Sequence, residues 1–349
     1  MGTSITSRST SAISGRSGLN RGFVMKLPRR RLLHLVSCAA VSLASSRFAA
    51  AQSYPARPVR IVVGFAAGGA TDIIARLVAQ SLSERLGAQF VVENRPGAST
   101  NLGTEVVVRA PADGHTLLLI GPPAAINVTL YDNLKFNFLR DIAPVAAVFR
   151  APYAVVVDPS FPAKTMAEFI AYAKANPGKL SMATPGSGTG PEMAGELFKI
   201  MAGIDMLTVR YRGDAPALTD LMGGQVQVYF DALPSGIEFI KSGRLRPLAV
   251  TTAARAAALP DVPALAELLP GFEASWLAGI GAPTDTPPEV IAKLNGAINA
   301  GLAEPQFKER LARLGGVGLP MTPDGYKTLL ADEIEKWAKV IHAAKIRPD

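Results

Sequence analysis

The 349-residue chain contains one cysteine and three histidines, and each scarcity removes a class of function. A single cysteine, Cys38, leaves no intramolecular disulfide and no CxxC redox pair or cysteine-rich zinc site. No HExxH or GxSxG motif occurs, so the zinc-protease and α/β-hydrolase readings lack their residues as well. Past residue 51 no run of 18 uninterrupted apolar residues appears, and no segment there reads as a membrane-crossing helix. The net charge of +8 suggests a nucleic-acid partner until the charges are located. Eight of the 36 basic residues fall within residues 1–51, which hold no Asp or Glu, so 28 basic residues face 28 acidic ones from residue 52 onward. That formally neutral remainder has no basic field to offer, and no nucleic-acid partner is expected.

Residues 25–51 have a basic segment, about 15 mostly apolar or small residues, and then the run Ala49-Ala50-Ala51. This is the layout of a cleaved signal peptide. Arg29-Arg30-Arg31-Leu32-Leu33 also admits a twin-arginine reading, and Met25 offers an alternative start. Leu35-Val36-Ser37-Cys38 resembles a lipoprotein site, but only six residues separate Arg31 from Cys38, fewer than an ordinary apolar region holds. The expectation is a leader over 1–51, cleavage after Ala51, and an exported, periplasmic protein without disulfides.

What the chain does have is a folded composition, with 48% hydrophobic and 18% charged residues, and a length that suggests two domains. β-branched runs at 59–63, 90–93 and 116–120 alternate with helical patterns at 72–86 and 101–109. A second series follows: strands at 153–157, 180–183, 207–210, 226–230 and 248–251 separated by helices at 165–175, 193–201, 215–222 and 236–241. Such alternation implies parallel strands joined by right-handed crossovers. From Pro287 the tail reads as three helices starting near Thr286-Pro287, Glu304-Pro305 and Thr322-Pro323. Helices without strands of their own are expected to pack back on the first sheet.

The sharpest local feature is Val63-Gly64-Phe65-Ala66-Ala67-Gly68-Gly69-Ala70-Thr71-Asp72, a glycine-rich strand-to-helix turn whose N–H groups and helix end can converge on an anion. Gly64 and Gly69 have P-loop spacing, but Ala70 stands where the phosphate-binding lysine belongs, so nucleotide hydrolysis is disfavoured. The plainer reading is a tight turn with Thr71 as N-cap. Thr184-Pro185-Gly186-Ser187-Gly188-Thr189-Gly190-Pro191 occupies the same position in the second series, and two such cradles suggest a cleft closed from both sides. A third loop, Glu93-Asn94-Arg95-Pro96-Gly97-Ala98, reads as a turn. Asp72 is placed to meet its own helix dipole, and Asp231 to accept hydrogen bonds from loop N–H groups. His115, at a strand entrance, and His342, on the last helix, read as structural.

Taken in order, several motifs make the chain resemble the Bug-type extracytoplasmic receptors of tripartite tricarboxylate transporters. They include Tyr54-Pro55-x-Arg57-Pro58-Val59-Arg60, Gly68-Gly69-x-x-Asp72-x-x-Ala75-Arg76, Asn94-Arg95-Pro96-Gly97-Ala98, Ala112-Asp113-Gly114-His115-Thr116, Tyr211-Arg212-Gly213-x-x-Pro216-Ala217, Asp220-Leu221-Met222-Gly223-Gly224 and Ala282-Pro283-x-x-Thr286-Pro287. The resemblance implies an α/β, two-domain periplasmic binding protein fold (type II-like). Each domain would be a mostly parallel sheet flanked by helices, with the ligand cleft between. Domain 1 would span 52–153 plus 254–349 and domain 2 would span 154–253. It further implies a monomer that needs no cofactor or metal and catalyses nothing, holding a small carboxylated solute and passing it to membrane transporter subunits. The site carried over is Phe65, Ala66, Ala67, Gly69, Ala70, Thr71 and Asp72 on one wall, Gly186, Ser187, Gly188 and Thr189 opposite, and Asp231 near the crossover. Neutral N–H and hydroxyl donors there can hold a carboxylate without burying an extra cation.

The chain departs from the family pattern at Glu192-Met193, where a His-Leu pair is common, at Ala98-Ser99-Thr100-Asn101, and at Gly121-Pro122-Pro123-Ala124. Alternative readings are a solute sensor, or an isomerase or lyase of organic acids using Asp231 and His115. The leader yields the first expected outcome: intact-mass analysis of the exported protein places its N-terminus at or near Gln52, whereas an acylated N-terminal Cys38 would make it a lipid-anchored protein.

Overall fold

A computed structural model describes residues 54–348; the expected leader, Cys38 and the cleavage point lie outside them. β1 (Val59–Val63), α1 (Ala70–Leu86), β2 (Phe90–Asn94), α2 (Asn101–Val108) and β3 (Thr116–Ile120) form the first series. β1 pairs in parallel with both β2 and β3, so α1 and α2 serve as the crossovers that parallel strands need. After α3 (Pro122–Leu130) and the short α4 (Phe138–Asp141) comes β4, a 16-residue strand over Ile142–Val157. The second series comprises α5 (Met166–Ala175), β5 (Ser181–Thr184), α6 (Gly190–Ala202), β6 (Leu207–Arg210), α7 (Asp214–Met222), β7 (Val228–Ala232), α8 (Leu233–Lys241) and β8 (Arg246–Val250). β9 (Ser275–Pro283), α9 (Pro288–Ala303), α10 (Pro305–Arg313), β10 (Val317–Gly318) and α11 (Pro323–Ala344) complete the described chain.

The described residues 54–348 gather into one compact unit, and its strands run β2-β1-β3-β9-β4-β7-β5-β6, with β8 and β10 also on β4. The parallel pairs lie toward the two ends of this order, while the middle is antiparallel. β4 takes β9 as partner from Ile142 to Pro152, then β7 and β8 from Tyr153 to Val157. The two halves of the sheet thus share one strand. Of the tail helices, α9 packs on β4 and α1, whereas α11 packs on β4 and α3 and also reaches α6 in the second series.

Two central strands carry little sequence signal. In β4 nearly every side chain from Val145 onward is buried, so the alternation that marks a half-exposed strand is absent. Its Pro144 sits at a register shift, where a missing N–H is tolerated. β9, Ser275-Trp276-Leu277-Ala278-Gly279-Ile280-Gly281-Ala282-Pro283, is buried at all nine positions and is short of β-branched residues. Its glycines answer a packing demand. A Cβ on Gly279 would collide with the Tyr326 hydroxyl and ring and with the Ala146 carbonyl, and one on Gly281 with Ile142 and Ile120.

Gly279→Ala is therefore expected to lower stability by about 1–3 kcal/mol in urea unfolding. Adding Tyr326→Phe should not restore it, because the Ala146 carbonyl still occupies the space.

Candidate functional site

Each series supplies one wall from a strand's carboxyl end, where open α/β sheets place ligands. β1 ends at Val63 and the chain turns through Gly64–Gly69 into α1; β5 ends at Thr184 and turns through 185–189 into α6. The turns face a common cavity of about 670 Å³. Gly68 takes the positive φ in the first turn, while Gly69 is extended and serves as N-cap, so Thr71 is a buried first-turn residue and not the cap. Backbone amides at the start of a helix are natural donors to an anion.

Of the residues expected in the site, Phe65, Ala66, Ala67, Gly69, Ala70, Thr71, Gly186, Ser187 and Thr189 line the cavity. Asp72, Gly188 and Asp231 are not on its lining and lie behind it. The buried Asp72 carboxylate accepts from the Gly68 N–H at 3.0 Å, from Arg76 Nε at 2.9 Å and from Asn94 Nδ2 at 3.0 Å, and Asn94 also donates to the Phe65 carbonyl at 3.0 Å. The second turn repeats the device. Gly188 donates its N–H at 2.7 Å to Glu192, itself four residues on, and Arg210 donates to the same carboxylate at 2.8 Å. Glu192, a departure from the family pattern, is thus a brace beneath the loop. Asp231 is fully buried in β7; it accepts from Ser235 Oγ at 2.9 Å and not from loop N–H groups.

The walls include residues that sequence reasoning missed. Ala98, Ser99 and Thr100 line the cavity with φ of 46°, 48° and 73°, three successive non-glycine residues in left-handed conformations. Ser99 Oγ donates to the Ser187 carbonyl at 2.7 Å, joining the two walls, and Asn127 Nδ2 holds the Ser99 carbonyl at 2.6 Å. Pro122, Pro123, Tyr131, Arg212, Asp214 and Trp276 also contribute. The Asn94-Arg95-Pro96-Gly97-Ala98 motif was the available signal for the first group; Trp276 lies in the strand with least pattern. Among the described residues, Ser187 Oγ and Tyr153 Oη are buried without a hydrogen-bond partner; Ser187 is a lining residue, and the tyrosine oxygen packs against Gly190, which lines the cavity as well.

The carboxylates near the site differ in their hold on protons. Burial would raise the pKa of Asp72, but the hydrogen bonds from Arg76, Gly68 and Asn94 outweigh it and the net shift is downward. For Glu192 burial wins over Arg210 and Gly188, and its pKa rises. Asp214 is raised by burial against the Tyr229 hydrogen bond, and Asp231 is raised well above its ordinary value by burial and then by the charge of Asp214.

His115 and Asp231 do not form a pair. His115 precedes β3, and the cavity residues Pro122 and Pro123 follow that strand's other end, roughly 16 Å away at about 3.3 Å per residue. His115 Nδ1 lies 3.1 Å from the Asp113 carbonyl, and its ring packs edge-on against Tyr54. Among the described residues no group of three His, Cys, Asp or Glu is placed to hold a metal ion, and no helix is long and apolar enough to cross a membrane.

Comparison with known proteins identifies the family and the fold. The sequence profile of the "Tripartite tricarboxylate transporter family receptor" matches residues 74–346. Rpa4515 of R. palustris, solved with adipate, is 36% identical with a TM-score of 0.82, covering 85% of this chain and 100% of that one. The periplasmic binding protein BugD is 35% identical with a TM-score of 0.79 over the same shares. MatC (Rpa3494) from Rhodopseudomonas palustris, solved with bound malate, is 30% identical with a TM-score of 0.76, covering 82% of this chain and 100% of that one. Their common architecture is the α/β periplasmic binding fold.

The Asp72 brace has a signed pH dependence. Because its folded pKa lies below the unfolded value of about 3.9, its contribution is complete above roughly pH 5 and is lost as pH falls through the folded pKa. Asp72→Asn is expected to cost about 1.5–3 kcal/mol near neutrality, and thermal unfolding from pH 7 to pH 3 should show the gap to wild type closing below about pH 4. Glu192 has the opposite sign, since a raised pKa makes stability fall as pH rises from the unfolded value of about 4.3 toward the folded one.

Proposed function

The chain belongs to the receptor family of the tripartite tricarboxylate transporters, and from that premise we propose that it is a periplasmic receptor that captures a small carboxylated solute and delivers it to the membrane subunits of such a transporter. The observation that carries this reading is the pair of glycine turns, each braced from behind by a buried carboxylate, with their neutral donors facing one cavity. A carboxylate there meets amides and hydroxyls, and the unpartnered Ser187 Oγ is a ready donor. Adipate in Rpa4515 and malate in MatC are carboxylates of a size this cavity admits, which supports the solute class. Phe65 to Thr71 without Gly68, together with Gly186, Ser187 and Thr189, touch the solute; Asp72, Gly188 and Asp231 act from behind.

The protein works as an exported monomer of two lobes, 52–153 plus 254–349 and 154–253, hinged where β4 changes partner and in the segment linking β8 to β9. Solute closes them, and the Ser99–Ser187 hydrogen bond belongs to the closed form. Binding without turnover is the reading for a site whose turns present amides and hydroxyls, while Asp72 and Glu192 are turned toward the loop backbone behind them.

A thermal-shift screen of organic acids tests the class, since a selective ligand at a hundredfold excess over Kd adds about 2.7 kcal/mol. With the best ligand, calorimetry of Gly69→Val should show at least a tenfold loss of affinity, ~1.4 kcal/mol. The cause is space, because a Cβ at Gly69 already lies 3.0 Å from Asp214 Oδ2. Ser187→Ala should cost ~0.5–1.5 kcal/mol, and His115→Ala and His342→Ala should leave affinity unchanged. Small-angle scattering should report a smaller radius of gyration with ligand. Normal binding by Gly69→Val together with lost binding or turnover in His115→Ala would replace the receptor by an enzyme.

A further inference from the structure

Asp214 is the only acidic side chain that lines the cavity among the described residues. It opens α7, and three groups define its carboxylate. Tyr229, itself fully buried in β7, donates to Oδ1 at 2.6 Å, and the Asp214 backbone N–H also donates to the carboxylate. The helix N-terminus adds its positive end. Oδ2 is aimed away from these, toward the opposite wall, 3.0 Å from where a Cβ would stand on Gly69.

An anion so placed is at odds with a solute that is only an anion. It faces the turn whose amides would hold the solute's carboxylate, and none of the groups that set its charge is a Lys, Arg or His. Behind it, burial and then the charge of Asp214 raise the pKa of Asp231, so that neighbour offers Asp214 no countercharge. Arg212, the single basic lining residue, is exposed. Burial makes the lone charge of Asp214 costly, and a positive group on the solute removes that cost.

We propose that the Asp214 carboxylate is a cation subsite within the cleft, selecting solutes that carry an ammonium or similar N–H cation beside a carboxylate. This deepens the carboxylate-receptor reading and rests on it. The carboxylate end is held by the turn amides and hydroxyls, and the cationic nitrogen by Oδ2, so the zwitterion spans the two walls.

The test is calorimetric titration with pairs of acids that differ by one ammonium: aspartate and succinate, glutamate and glutarate, 2-aminoadipate and adipate. Wild type should bind the amino member of at least one pair tenfold or more tightly. Asp214→Asn, and Asp214→Ser as an independent replacement, should bring that ratio within twofold and should bind the plain diacid more tightly than wild type does. Circular dichroism establishes that the variants are folded. Wild type that binds the plain diacid as well as or better than its amino partner in every pair overturns the subsite while leaving the carboxylate reading standing, and so does a preference that survives both substitutions. If no member of any pair binds, the carboxylate reading fails and takes the subsite with it.

Discussion

The ladder of main-chain hydrogen bonds along β4 is the constraint on which the rest of the structure hangs. A buried strand must satisfy its N–H and carbonyl groups along its length, and this one does so by changing partners, β9 first and then β7 and β8. Both parallel series attach to that switch, and the tail helices α9 and α11 cover it. The two glycine turns end up facing one another because the strands that launch them, β1 and β5, sit on opposite sides of β4 in one continuous order.

Once the turns are opposed, their chemistry follows from where their backbone groups are spent. In each, one loop N–H is tied to a carboxylate four residues on, the third residue of the next helix, Gly68 to Asp72 and Gly188 to Glu192. The loops are held from the protein side, and their inner faces stay open. The left-handed run Ala98–Thr100 is a different solution on the third side: its strained backbone is pinned by Asn127 and by the bond from Ser99 to the opposite wall.

The sequence was most legible where one rule acted alone. Strands at 59–63, 116–120 and 207–210 match their observed bounds, because β-branched runs between turn residues leave little choice, and the three tail helices begin at Pro288, Pro305 and Pro323, as proline at a first turn suggests. β9, α3 and the first half of β4 were illegible because burial on every side erases periodicity and small residues are chosen for fit, as Gly279 and Gly281 are. In the site, glycine turns announced themselves, but Tyr131, Trp276 and Asp214 arrive from distant segments, and nothing local marks a side chain that only tertiary packing brings to the cleft. The partner of Asp231 was misjudged for a related reason: proximity to a loop end in sequence does not say which way a carboxylate turns, and this one meets Ser235 where loop N–H groups were expected.

One consequence of the shared strand concerns cooperativity. Since β4 belongs to both halves of the sheet, neither half can melt without stripping an edge from the other, and the energetic unit is larger than either α/β series. On the proposed reading, a solute bridging the turns would tighten both series at once, so that occupancy would be written into the resistance of residues 54–348 to unfolding and to proteolysis, far from the cleft itself.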